Sequence, residues 1–249
     1  MRWSLFLCIA ISLTAQAKTE LTILVGLDKP PYIELKDSSG YELDLLRVLS
    51  KKMGFDAVFL HVPNARIKDL MLDGRADMAT LQRPDPEQQV LYYSQPYIRY
   101  QNIAASLASK TLQLHQLEQL KPYSVVAFHN ARTLLGPDYQ QVVPLMMNYQ
   151  EVAHQRQQLQ MLLLERCDVV VMDRNIFYYY AKLAGHGMQS FDVAALFQPS
   201  LYSVAFTNPQ LRKKFDKALA EVQLEPVFTQ LQLKYFSEVN QQLQWLQPE

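Results

Sequence analysis

Arg166-Cys167-Asp168-Val169-Val170-Val171-Met172-Asp173 is the stretch that decides the fold. Leu159, Leu162 and Leu163 fall at helical spacing, so a helix is predicted over 155–166, and it runs straight into the apolar run 168–172. A strand without polar alternation is covered on both faces, which sets this one in a sheet between helices. The same alternation recurs on either side. Leu21 to Leu27 reads as a strand broken by Asp28-Lys29-Pro30-Pro31, and Leu45, Leu46, Leu49 and Met53 mark a helix stopped by Gly54. Ala57 to Val62 is a second strand, Ile67, Leu70 and Met71 a short helix ended by Gly74, and Asp77 to Leu81 a third strand. Val125 to Phe128 is a further strand with Asn130 opening a helix, and Asn208-Pro209 caps a helix with the stripe Leu211, Phe215, Leu219 and Val222. Alternating strands and helices predict an α/β chain with mostly parallel sheets, whose ligands sit beyond the carboxyl ends of the strands. Two strand-like stretches, Gln101 to Leu107 and Leu201 to Thr207, read as a pair that leaves one lobe and returns to it.

Composition narrows the function. The chain has 249 residues, 49% of them hydrophobic, which is room for one large domain or two small ones. Its 24 basic and 24 acidic side chains balance, so there is no clustered basic excess of the kind nucleic acid requires. Seven Gly and 13 Pro exclude collagen-like or linker character. Arg2, the apolar stretch Leu5 to Leu13 and Ala15-Gln16-Ala17 form a secretory leader pattern, so cleavage after Ala17 and export are expected. Cys8 lies inside that apolar stretch, and Cys167 alone remains in the mature chain, where it reads as a buried, inert thiol. The five His show no metal-ligand spacing, and no nucleophile elbow, P-loop or dinucleotide glycine pattern occurs, so no metal or cofactor is expected. His129 stands beside Asn130 at the expected cleft, and Phe177-Tyr178-Tyr179-Tyr180 reads as core and rim.

Several motifs in fixed order resemble those of family 3 solute-binding proteins of ABC importers. Gly40-Tyr-Glu-Leu-Asp-Leu45 resembles the G-F-x-x-D-L signature, and Gly74-x-x-Asp77 and Tyr93-Ser94-Gln95-Pro96-Tyr97 resemble G-x-x-D and F-S-x-P-Y. Arg166 to Asp173 stands where the family has G-x-x-D-A-v-v-x-D, and Val62 to Arg66 and Phe128 to Ala131 match the V-P-N-A-R and F-x-N-A motifs of one subgroup. The resemblance implies a two-lobed periplasmic binding protein type II fold, with mostly parallel sheets flanked by helices and a two-strand hinge, closing on a small solute. Lobe edges then fall at the two strand-like stretches: leader 1–17, first lobe 18–104 plus 205–249, second lobe 105–204.

The family's ligand contacts carry over unevenly. In its amino-acid binders an Arg six residues before the Phe of F-S-x-P-Y clamps a carboxylate, and the same count back from Tyr93 reaches Glu87, a reversal of charge. Arg83 is the candidate substitute; its bland alternative is a solvated loop residue. Lys29 and Asn64 stand at the two stacking positions, so a cation and an amide replace apolar walls, while Tyr32 stays aromatic at a position that packs under the site. Thr80 and Gln82 match positions offering hydroxyl or amide contacts. Asp173 matches the carboxylate that receives a ligand ammonium, with a helix N-cap as its structural alternative. Asn130, Ala131 and Arg132 occupy a turn that presents backbone N–H groups to an anion. Arg66 opens a helix, where a cation opposes the dipole: an anionic ligand or a bridge to a neighbouring acid would explain it. The resemblance therefore implies a monomeric, non-enzymatic receptor for a small polar or charged solute, serving an ABC permease or a membrane sensor. The alternative on the same scaffold is an enzyme resembling cyclohexadienyl dehydratase, with Glu87 or Asp173 as its general acid.

Overall fold

The computed structural model describes residues 20–84 and 90–236. The expected leader 1–17, the chain ends at 18–19 and 237–249, and Glu87 lie outside the described residues. The first part of the chain runs β1 (Glu20–Val25), α1 (Tyr41–Lys52), β2 (Asp56–His61), α2 (Asn64–Leu72), β3 (Met78–Gln82), β4 (Tyr92–Tyr93) and β5 (Ile98–Tyr100). The middle runs β6 (Asn102–Leu107), β7 (Ser124–Phe128), α3 (Ala131–Leu134), α4 (Pro137–Val142), β8 (Asn148–Val152), α5 (Gln155–Leu163), β9 (Val169–Asp173), α6 (Arg174–Leu183) and β10 (Phe191–Ala194). The chain then returns through β11 (Ser200–Phe206), α7 (Pro209–Val222) and α8 (Pro226–Phe236).

These strands form two sheets. The first is ordered β2-β1-β3-β11-β4, with β5 also on β11; the second is β10-β6-β9-β7-β8. β1 is parallel to β2 and β3, and β7 to β8 and β9, while β6, β10 and β11 run antiparallel to their neighbours. Every residue of β9 is buried, as its unbroken apolar run requires.

The crossings differ from the sequence reading. Residues 101–107 and 201–207 do not pair with each other, because β6 lies between β9 and β10 while β11 joins β3, β4 and β5. The strand opposite the start of β11 is the short β5, with Tyr100 against Ser200 and Ile98 against Tyr202. The switch from first sheet to second falls at Gln101, and the return falls between Ala194 and Ser200. Residues 102–104 thus pair in the second sheet and 200–204 in the first, each opposite to the lobe expected for it.

Local chemistry explains the boundaries. Asn208 caps α7 through its side chain, which accepts from the Gln210 and Leu211 N–H groups at 2.8 and 3.3 Å. Gly40 precedes α1 without a side-chain cap; instead the Pro31 and Tyr32 carbonyls accept from the N–H groups of Tyr41 and Glu42 at 2.9 and 3.0 Å. That close approach leaves no space at Gly40, which has φ 118° and whose Cβ, if present, would run into the Tyr32 carbonyl. Phe177 is fully buried, and Tyr178 to Tyr180 are partly buried. Cys167 is buried, and burial pushes its thiol up to about 12.

Gly40→Ala should therefore destabilise the protein far more than Gly54→Ala. Gly54 also has a positive φ, 89°, but nothing lies within 4 Å of its missing Cβ. The Gly54 change should cost only the left-handed strain of about 1–2 kcal/mol, and the Gly40 change at least twice that. Urea unfolding of the two variants checks this, and equal losses would contradict the close approach.

Candidate functional site

Two contacts bridge the sheets just beyond the carboxyl ends of β1, β3, β7 and β9, and the inner of them forms the floor of a gap. From the first sheet, the turn after β1 brings Tyr32; from the second, β9 ends at Asp173. The Tyr32 hydroxyl donates to Asp173 Oδ1 at 3.1 Å and accepts from Asn175 Nδ2 at 2.9 Å. Asp173 also caps α6, its Oδ1 accepting from the N–H groups of Asn175 and Ile176 at 2.9 and 3.2 Å. Its Oδ2 accepts from the N–H of Gln101, the crossing residue, at 3.0 Å. Burial dominates this carboxyl and pushes its pKa up to about 6, against the pull of the donors from Ile176, Tyr32, Gln101 and Asn175. Both oxygens are thus engaged within the chain. The helix-cap alternative for Asp173 is the one the geometry displays.

Next to this bridge lies a second buried cluster. Tyr32 stacks on Tyr100 with centroids 4.3 Å apart and planes at 29°, and the Lys29 ammonium sits 4.6 Å from the Tyr100 ring centroid. Glu42, in the first turn of α1, is fully buried and accepts from the Tyr97 hydroxyl at 2.7 Å through Oε1. Its Oε2, the Thr80 hydroxyl and the Tyr100 hydroxyl are buried without a hydrogen-bond partner. Burial lowers the Lys29 pKa, while the charges of Glu42 and Asp173 work to raise it. The phenols of Tyr32, Tyr97 and Tyr100 are raised, first by burial and then by the same acids.

The remaining candidates fall further out. Asn64 is exposed at the start of α2, its Oδ1 3.3 Å from where a Cβ on Gly26 would stand. Arg66 is exposed on the same helix, and the Gln82 amide donates to the Thr80 carbonyl at 2.8 Å. Arg83 is engaged as a strap across the gap. Its guanidinium donates to Ser200 Oγ and the Tyr202 hydroxyl at 3.2 and 3.3 Å, to the Leu134 carbonyl of the opposite sheet's side at 3.4 Å, and lies over the Tyr202 ring. A cavity of about 370 Å³ adjoins it, lined by Leu134, Leu135, Phe197, Gln198 and Ser200 among others. Asn130 takes φ 64°, and the turn it opens already holds an anion: Glu151 accepts from the N–H groups of Asn130 and Arg132 at 2.7 and 2.8 Å and from the Tyr149 hydroxyl at 2.8 Å. Among the described residues no cluster of three or more His, Cys, Asp or Glu is placed to hold a metal, and no helix is long and apolar enough to cross a membrane.

Glu42, Tyr97, Tyr100, Asn175 and Glu151 were not among the sequence candidates. Glu42 was visible in principle, because positions 42, 45, 46 and 49 share one helical face with three leucines. Glu151 carries no such signal, since its backbone partners lie about twenty residues away on another strand's turn.

Two lobes of this form, meeting over a polar floor, define a cleft-type binding protein. Residues 21–238 match the model of the bacterial extracellular solute-binding proteins of family 3, and the chain belongs to that family. Among solved structures it is similar to the GluR0 ligand-binding core in complex with L-glutamate, at 16% identity and TM-score 0.70 over 88% of this chain and 99% of that one. A substrate-binding protein of an ABC uptake transporter from Streptococcus pneumoniae with bound histidine matches at 16% identity and TM-score 0.70, over 88% of this chain and 92% of that one. An ancestral amino acid-binding protein described as a precursor of cyclohexadienyl dehydratase matches at 19% identity and TM-score 0.70, over 87% and 95%. No curated protein matches the chain in sequence.

The raised carboxyl of Asp173 makes stability depend on pH. Its folded pKa, about 6, lies above its ordinary 3.8, so the folded state holds the proton more tightly than the unfolded state. The contribution of Asp173 to stability is therefore greatest below about 4 and is lost as pH rises through about 6, by on the order of 3 kcal/mol. The stability of wild type relative to Asp173→Ala should fall by that order between pH 4 and pH 7.5 in urea titrations. A difference that does not move with pH would contradict the burial of this charge.

Proposed function

We propose that this family 3 protein works in the periplasm, where it captures a small charged solute between lobes built on its two sheets and hands it unchanged to an ABC permease or a membrane sensor. In this reading the first lobe comprises residues up to Tyr100 and from Ser200, the second Asn102 to Ala194, and the monomer is the working unit. The observation that carries it is the pair of contacts spanning the gap: Tyr32 to Asp173 at the floor and Arg83 to Leu134 at the rim. A cleft bridged at both places can exchange weak inter-lobe hydrogen bonds for contacts to a solute, which is how binding energy closes hinged lobes. Against a dehydratase, Asp173 has no oxygen left to face a leaving group, since four donors of the chain already occupy the carboxylate.

Thermal-shift screening of the mature protein against small organic acids, amino acids and polyamines tests the capture. A true solute should stabilise by about 2.7 kcal/mol at a hundred times its Kd and should be recovered chemically intact. No stabilising compound in the panel, or conversion of the bound one, would overturn this reading. Arg83→Ala should raise the radius of gyration of the unliganded protein in X-ray scattering with little change in melting temperature. An unchanged radius would mean that Arg83 does not hold the rim.

A further inference from the structure

We propose that the Lys29 ammonium is the group that receives the solute, and that the cleft selects small carboxylates carrying no ammonium of their own. This inference rests on the capture reading above and names the solute class for it.

The argument is an inventory of charge at the cleft. Among the described residues, two acids at its floor and edge are committed on both oxygens and a third on one. Asp173 accepts from Tyr32, Asn175, Ile176 and Gln101. Glu151 accepts from the Asn130 and Arg132 N–H groups and from Tyr149. Glu42 accepts from Tyr97 on one oxygen, and its other oxygen is buried in the layer whose cation is Lys29. Among the described residues a solute ammonium would find at this floor no carboxylate with both oxygens free, and it would be repelled by the cation already in place.

Lys29 is in the opposite position. Among the described residues no carboxylate comes within ion-pair distance of its ammonium, which rests on the Tyr100 ring instead. Lys29 is partly buried, and burial lowers its pKa against the longer-range pull of Glu42 and Asp173. An anion brought against it regains the lost interaction and restores the proton's hold. The other cleft cation, Arg83, is spent on Ser200, Tyr202 and Leu134. The Tyr100 hydroxyl, buried without a partner on the ring that carries the ammonium, adds a donor to the same polar layer.

Matched pairs that differ only by an amino group test this by calorimetry: propionate and alanine, succinate and aspartate, glutarate and glutamate. At least one carboxylate should bind at least ten times more tightly than its amino partner. Lys29→Met should weaken that carboxylate roughly 10- to 150-fold, the loss of one charge-assisted hydrogen bond, while Lys29→Arg stays within tenfold of wild type. At pH 9, binding should take up protons, seen as a dependence of the enthalpy on buffer ionisation, and Lys29→Met should abolish the uptake. Tighter binding of the amino member, or equal affinity in Lys29→Met, would overturn the role of Lys29. So would a solute found in the broader panel when none of these six binds, and in that case the capture reading survives. If nothing binds in either set, capture itself fails.

Discussion

A carboxylate removed from water persists only where hydrogen bonds replace its hydration, and Asp173 draws those bonds from three parts of the chain at once. Asn175 and Ile176 belong to the helix it caps, Gln101 is the residue at which the chain changes sheets, and Tyr32 comes from the opposite sheet. One buried acid therefore fixes a helix start, a crossing and the approach of the lobes. Its donors have supports of their own. Tyr32 is set by the tight packing of Gly40 under its carbonyl and by the N–H of Glu42, which that carbonyl accepts. The first turn of α1 thus positions both the hydroxyl that reaches Asp173 and the carboxylate that meets Tyr97.

Among the described residues, the charges around the cleft are engaged within the chain, exposed to solvent, or, at Lys29, set on an aromatic ring. Glu151 fills a turn whose N–H groups would otherwise face an anion, and Arg83 straps the rim. Arg66 stays exposed in solvent, where a single charge is heavily screened. The Lys29 ammonium is partly buried, set on an aromatic face with two acids acting at longer range. Net charge near zero says nothing about this arrangement, because it averages committed and uncommitted groups alike.

Burial was legible in the sequence; pairing was not. The apolar run of β9, the leucine stripe of α1 and the Asn208-Pro209 cap each follow from spacing along a few residues, and each stands where the pattern put it. β4 and β5 have two and three residues, too short to carry a period, and exist because β11 offers them a partner. The mispairing of 101–107 with 201–207 has the same origin: both stretches have strand composition, but composition does not encode which edge a strand meets. Arg83 and Glu151 show the matching limit for the site. A charged residue at a strand end is an open valence in the sequence, and only the fold shows that Ser200, Tyr202 and Leu134 close one while Asn130, Arg132 and Tyr149 close the other.

Tyr100 joins the two clusters. It is the last residue of β5 before the crossing at Gln101, its ring carries the Lys29 ammonium on one contact and the Tyr32 ring on another, and Tyr32 in turn holds Asp173. A change in what neutralises Lys29 acts on the Tyr100 ring, whose attraction for a cation depends on how far that cation is compensated. The same ring is packed against the residue that bridges the lobes, at the point where the backbone turns from one sheet to the other. The Lys29 ammonium and the residue that bridges the two sheets are therefore adjacent, one stacked ring apart.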